Sequence, residues 1–114
     1  MYKFALTFGI DKDGLNERYL LEEYNCIQIE IDTFDRIVGR FKSVRTYFPY
    51  IDKWAEGIDS TGVTMIPVES IENFLTIVKV CRNEDYWNLY ELEALEDMLE
   101  KAVYEHKNLI IFGI

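Results

Sequence analysis

Over residues 85–114 the apolar positions first recur at steps of three and four, then close into an unbroken run. Leu89, Leu92, Leu95, Leu99, Ala102 and Val103 share one face of a helix. Leu109, Ile110, Ile111 and Phe112 follow without alternation, the mark of a strand covered on both faces. A helix with such a stripe must lay it on something, so this part of the chain is expected at the centre of the fold. Upstream, the period is two. Tyr2, Phe4, Leu6 and Phe8 fall on one face of a strand over residues 2–9, and Cys26, Ile27, Gln28, Ile29, Glu30 and Ile31 alternate as a second.

Between and after these strands the period returns to that of helices. Asp11 to Gly14 has turn chemistry, and residues 17–24, with Leu20 and Leu21, lean towards a short helix. Asp32 or Thr33 is placed to cap a helix whose stripe is Phe34, Ile37, Val38, Phe41, Val44 and Phe48. Pro49 ends it or starts the next, and residues 50–56 read as a second, short helix stopped at Gly57. Residues 63–66 form a strand ending at Pro67. Residues 68–82 form a helix with Ile71, Phe74, Leu75, Val78 and Cys81 on one face, and Ile77 and Val80 off it. This order predicts one α/β (or α+β) domain over residues 1–114. It has a small, largely parallel or mixed sheet of about four strands with helices packed on it, and the first strand can pair antiparallel through the Asp11–Gly14 turn.

Composition narrows the classes. With 49% apolar and 15% aromatic residues in 114, the chain can bury a core, and intrinsic disorder is a poor reading. No apolar run reaches the ~18 residues that span a bilayer. The start lacks a basic leader and a cleavage site, so a cytoplasmic protein is expected. Cys26 and Cys81 fit buried, reduced thiols. A net charge of −9 disfavours nucleic acid and anionic membranes as partners.

Candidate chemistry is sparse. His106 is the sole histidine; it sits near a helix end where the dipole favours its charge, and any triad would have to use it. Neither cysteine stands at a helix N-terminus that would activate it. Two cysteines and one histidine do not make a zinc site. Asp11, Asp13 and Glu22 fall at calcium-loop positions, but Leu15 and Asn16 occupy places that want a ligand and a glycine. The six glycines form no phosphate loop. Asp32, after a strand and opening a helix, is the best catalytic candidate, and it is equally an ordinary N-cap. No enzyme, metal or cofactor is expected.

Charge is more informative. Residues 84–107 carry eight acids and two bases, net −6, whereas residues 33–48 carry Arg36, Arg40, Lys42 and Arg45 against Asp35, net +3. Tyr86, Tyr90, Glu93, Asp97, Glu100 and Tyr104 step by four and three along the long helix. At about 100° per residue they form a ridge turned roughly 120–150° from the leucine seam. Exposed tyrosine among carboxylates suits a protein-binding surface, since tyrosine offers area at low entropic cost. The expected function is a small acidic protein-binding protein, an inhibitor, immunity or anti-defence factor that docks on a basic surface of a partner protein. The alternative is a homo-oligomeric structural or accessory subunit, a homodimer for instance, with Ile77, Val80, Phe112 and Ile114 as its contact. In wiring and charge alone, the strand–helix–helix–strand second half resembles barstar-like immunity proteins and small phage-encoded inhibitors.

Overall fold

The computed structural model describes residues 2–7, 26–49, 51–84 and 89–113, excluding the side chains of Thr7, Leu89 and Tyr90. Its strands are β1 (Tyr2–Thr7), β2 (Ile27–Ile29), β3 (Arg45–Phe48), β4 (Lys53–Glu56), β5 (Val63–Ile66) and β6 (Asn108–Phe112). The helices are α1 (Ile31–Asp35), a 3-10 turn at Val38–Phe41, α2 (Val68–Glu84) and α3 (Leu89–Glu105). The sheet runs β2-β1-β6-β5-β3-β4. Every pairing in it is antiparallel. The mixed α and β class is as expected, but the sheet has six strands rather than about four, and it is antiparallel throughout rather than largely parallel or mixed; the first strand does pair antiparallel.

The two extra strands, β3 and β4, come from the stretch expected to be helical. No single helix runs from residue 33 to 48, and residues 51–56, expected within a short helix over 50–56, form a turn and β4 instead. The stripe still finds the core, because Phe34, Ile37, Phe41 and Val44 are all buried. Consecutive tight turns satisfy the same three- and four-residue spacing as a continuous helix. After Val44 the β-branched and aromatic run Thr46, Tyr47 and Phe48 favours a pleated surface. Pro49 and Asp52 then make the turn of a hairpin, with Asp52 in the left-handed region at φ 51°. Tyr47 pairs across it with Trp54. Gly57, at φ 82°, ends β4 instead of a helix. Its carbonyl accepts a 2.7 Å hydrogen bond from the buried Thr46 hydroxyl.

β6 holds the central place expected of it. All five of its residues are buried. Leu109 and Ile111 enter the main core with Phe4, Phe34, Phe74, Leu92, Leu95 and Leu99. Ile110 and Phe112 lie on the opposite face with Ala5, Tyr47 and Met65. Asn108 caps the next layer: its side-chain oxygen accepts the Val68 N–H at the start of α2, at 2.9 Å. Phe41 and Phe74 stack at 4.1 Å, joining the 3-10 turn to α2. The residues expected at an oligomer contact do not form one surface. Ile77 packs against the main core and Phe112 belongs to the second cluster, while Val80 is exposed. Ile114 lies outside the described residues.

Tyr2 ties β1 to α1. Its ring is fully buried and its hydroxyl donates a 2.7 Å hydrogen bond to Asp35 Oδ1. Burial first, then the Asp35 carboxylate, pushes the Tyr2 hydroxyl up to about 12, with Ser60 opposing. A raised folded-state value means the neutral phenol stabilises the fold fully below pH ~10, and this contribution fades as pH climbs towards ~12. Tyr2→Phe should therefore cost about 1–2 kcal/mol at pH 8. The gap from wild type should narrow between pH 10 and 12 in urea titrations; a constant gap would contradict the Tyr2–Asp35 bond.

Candidate protein-binding face on the last helix

The ridge rests on α3, whose inner face is fixed by Leu92, Leu95, Leu99 and Ala102, all fully buried. Glu93, Asp97 and Glu100 are consequently turned to solvent. Tyr104 is 87% exposed, so its ring does not lie over neighbouring side chains. Four of the six expected residues thus share the outer face. Tyr86 lies outside the described residues, as does the side chain of Tyr90.

The acidic residues of this segment are not equivalent. Arg82 Nε meets Glu96 Oε2 at 2.8 Å between α2 and α3, as a half-buried ion pair without hydrogen-bond alignment. Lys79 reaches Glu100 at 3.6 Å, Arg40 reaches Glu84 at 2.6 Å, and Lys107 reaches Glu105 at 3.1 Å. Glu84 holds the Arg40 guanidinium charged more firmly than usual. Glu91 accepts the backbone N–H of Glu30, the N-cap of α1, at 3.2 Å. Glu93 and Asp97 have no such partner among the described residues. They are one turn apart, where like charges repel by a few tenths of a kcal/mol. Lys101, one turn beyond Asp97, offsets part of their field without forming an ion pair, and the remainder faces outward. Sequence periodicity found the ridge but missed this sorting, because the partners Lys79 and Arg82 stand on a different helix.

The other candidates fall in separate places. Asp32 is exposed in the first turn of α1 and is not its cap; Glu30 holds that position without a side-chain bond, and Thr33 is buried inside the helix. The crevice argument for Asp32 needs parallel strands, which this sheet does not contain. His106 follows α3 at φ 56°. Its N–H bonds Val103 O, and that of Lys107 bonds Ala102 O, the paired closure that usually employs glycine. Cys81 is buried in the main core, whereas Cys26, just before β2, is only half-buried rather than buried as expected. Neither is in a disulfide. Asp11, Asp13 and Glu22 lie outside the described residues. Among the described residues, no group of three or more His, Cys, Asp or Glu could hold a metal ion, and no helix is long and apolar enough to cross a membrane. The chain matches no protein-family model, no curated protein and no solved structure.

Proposed function

We propose that this is a small protein-binding protein whose outer α3 face docks on a basic surface of a partner protein, in the manner of an inhibitor, immunity or anti-defence factor. The observation that carries this reading is the pairing of two carboxylates without an ion-pair partner among the described residues, Glu93 and Asp97, with the 87% exposed ring of Tyr104 on the same face. The carboxylates supply long-range attraction and the ring supplies contact area. A net charge of −9 strengthens the attraction to a cationic surface.

The test begins with capture from the native host by the wild type and by Glu93→Lys/Asp97→Lys side by side. Binding kinetics at two salt concentrations follow. The double reversal should slow association about tenfold and flatten its salt dependence, since steering comes from the summed field. Tyr104→Ala should act mainly by speeding dissociation. Neither variant should lose more than about 0.5 kcal/mol of stability. If rate and salt slope are both unchanged by the reversal, this face is only solvated. A stable oligomer at micromolar concentration in light scattering, abolished by neither variant, would favour the accessory-subunit reading instead.

A further inference from the structure

At the far end of the sheet from β2, the hairpin of β3 and β4 presents an edge that no other described strand covers. Among the described residues β4 pairs only with β3, and Lys53, Trp54 and Glu56 along it are exposed. Two of the exposed large apolar side chains are here, Ile51 at 52% and Trp54 at 41%. Trp54 is held in place. Its ring lies 5.0 Å from that of Tyr47, and the Arg45 guanidinium sits 4.7 Å from its centroid. The Tyr47 hydroxyl is anchored in turn by donating to Asp52. An open groove of about 590 Å³ is lined by Arg45, Trp54, Ala55 and Glu56. Successive strand residues point to opposite faces, so Trp54 and Ala55 line one groove only if it follows the strand's edge rather than either face.

Among the described residues, neither charge on β4 has an ion-pair partner. Arg45 is the cross-strand neighbour of Glu56, yet its guanidinium lies over Trp54 and leaves the Glu56 carboxylate without a cation among the described residues. Lys53, at the other end of the strand, likewise has no carboxylate. End charges of this kind ordinarily discourage edge pairing. Here they have opposite signs three residues apart, so they discourage some strands and select others. A second copy of β4 does not answer the pattern. Two copies continuing one sheet around a two-fold axis keep the same face up, which forbids Lys53 opposite Glu56. The shared net charge of −9 opposes them as well.

We propose that β4 accepts an extended segment of a partner protein as a seventh, antiparallel strand. That segment carries a basic residue opposite Glu56 and, three residues later, an acidic residue opposite Lys53. An apolar or aromatic residue beside Trp54 completes it. Main-chain hydrogen bonds provide the attachment, and the order of the two charges fixes direction and register. This surface is distinct from the α3 face, so either assignment can fail without the other.

The probe is acetyl-Thr-Lys-Val-Tyr-Glu-Thr-amide, titrated into the isotope-labelled full chain and followed by amide NMR. Its counterpart, acetyl-Thr-Glu-Val-Tyr-Lys-Thr-amide, has the same composition and net charge with the order reversed. The Lys-first peptide should shift the amides of residues 53–56 and the Trp54 indole, and should bind at least tenfold more tightly than the Glu-first peptide. N-methylation of alternate residues in one phase should abolish the shifts, while the other phase should leave them. Trp54→Ala, checked for fold by circular dichroism, should weaken binding about tenfold. Equal binding of the two peptides, insensitivity to N-methylation in both phases, or no shift at millimolar peptide would overturn the proposal. Shifts at β4 that follow the protein's own concentration without peptide would overturn it too, in favour of a second copy.

Discussion

Leu99→Ala should lower stability by about 2–5 kcal/mol. Leu99 is fully buried on α3 and belongs to the cluster that also contains Phe74 and Val78 of α2 and Phe4 and Ile111 of the sheet. Removing its branched end strips contacts from two layers at once. A helix pinned by neighbouring Leu95 and Ala102, both fully buried, cannot move far enough to close the gap. Domains of this size have only about 5–15 kcal/mol in total, so the variant should melt well below the wild type. Urea titration with a shared slope reads the loss. A value under about 0.5 kcal/mol would place Leu99 outside the core.

Gly113→Ala should be similarly damaging for a different reason. A methyl group at residue 113 would lie 2.4 Å from the carbonyl oxygen of Ser60, 2.6 Å from its carbon and 3.0 Å from the oxygen of Asp59. These are backbone atoms of a braced loop. Asp59 Oδ1 accepts from the N–H and the hydroxyl of Thr61, Asp59 N donates to Thr64 Oγ1, and Gly113 N donates to Gly62 O at 2.8 Å. Either that loop or the end of β6 must move, at a cost of about 1–3 kcal/mol and more if both resist. Gly39→Ala is the matched control. Nothing lies within 4 Å of the added methyl, so the reduced freedom of the unfolded chain should make it neutral or stabilising by up to about 1 kcal/mol. Equal losses at the two sites would show that the packing at Gly113 is not what matters.

These variants bracket what the sequence made legible. α2, α3, β5 and β6 could be read from it because each has one unbroken period, with clear breaks at Pro67 and Lys107; the break expected at Asn83 lies inside α2, which runs on to Glu84. Residues 33–56 could not, because Phe34, Ile37, Phe41 and Val44 fit a helix and a chain of turns equally well. The deciding signals were local: the β-favouring Thr46-Tyr47-Phe48 and the turn chemistry of Pro49 and Asp52. Strand direction is less legible, since helices between strands suggest at least some parallel crossovers. Here β5 and β6 are separated by two helices, an even number, and the chain returns antiparallel. On the candidate face, the exposure of Glu93, Asp97 and Tyr104 follows from helical period. The neutralisation of Glu100 by Lys79 does not, because it depends on how two helices cross.

The strand order has a consequence for how the molecule comes together. β3 with β4 is a local hairpin, β1 pairs with β2 and β5 joins β3 at short sequence separations, but among the described residues β1 and β5 are linked only through β6. Pairing Lys3 with Phe112 closes nearly the whole chain into a loop. That is the slowest kind of contact to find by diffusion, and its entropic toll is met before any reward. Until β6 inserts, each half of the sheet keeps a raw hydrogen-bonding edge, β1 on one side and β5 on the other, and both are sticky. Refolding yield should therefore depend on protein concentration most steeply in variants that delay β6, Gly113→Ala among them, even under conditions where their native state, once reached, is secure.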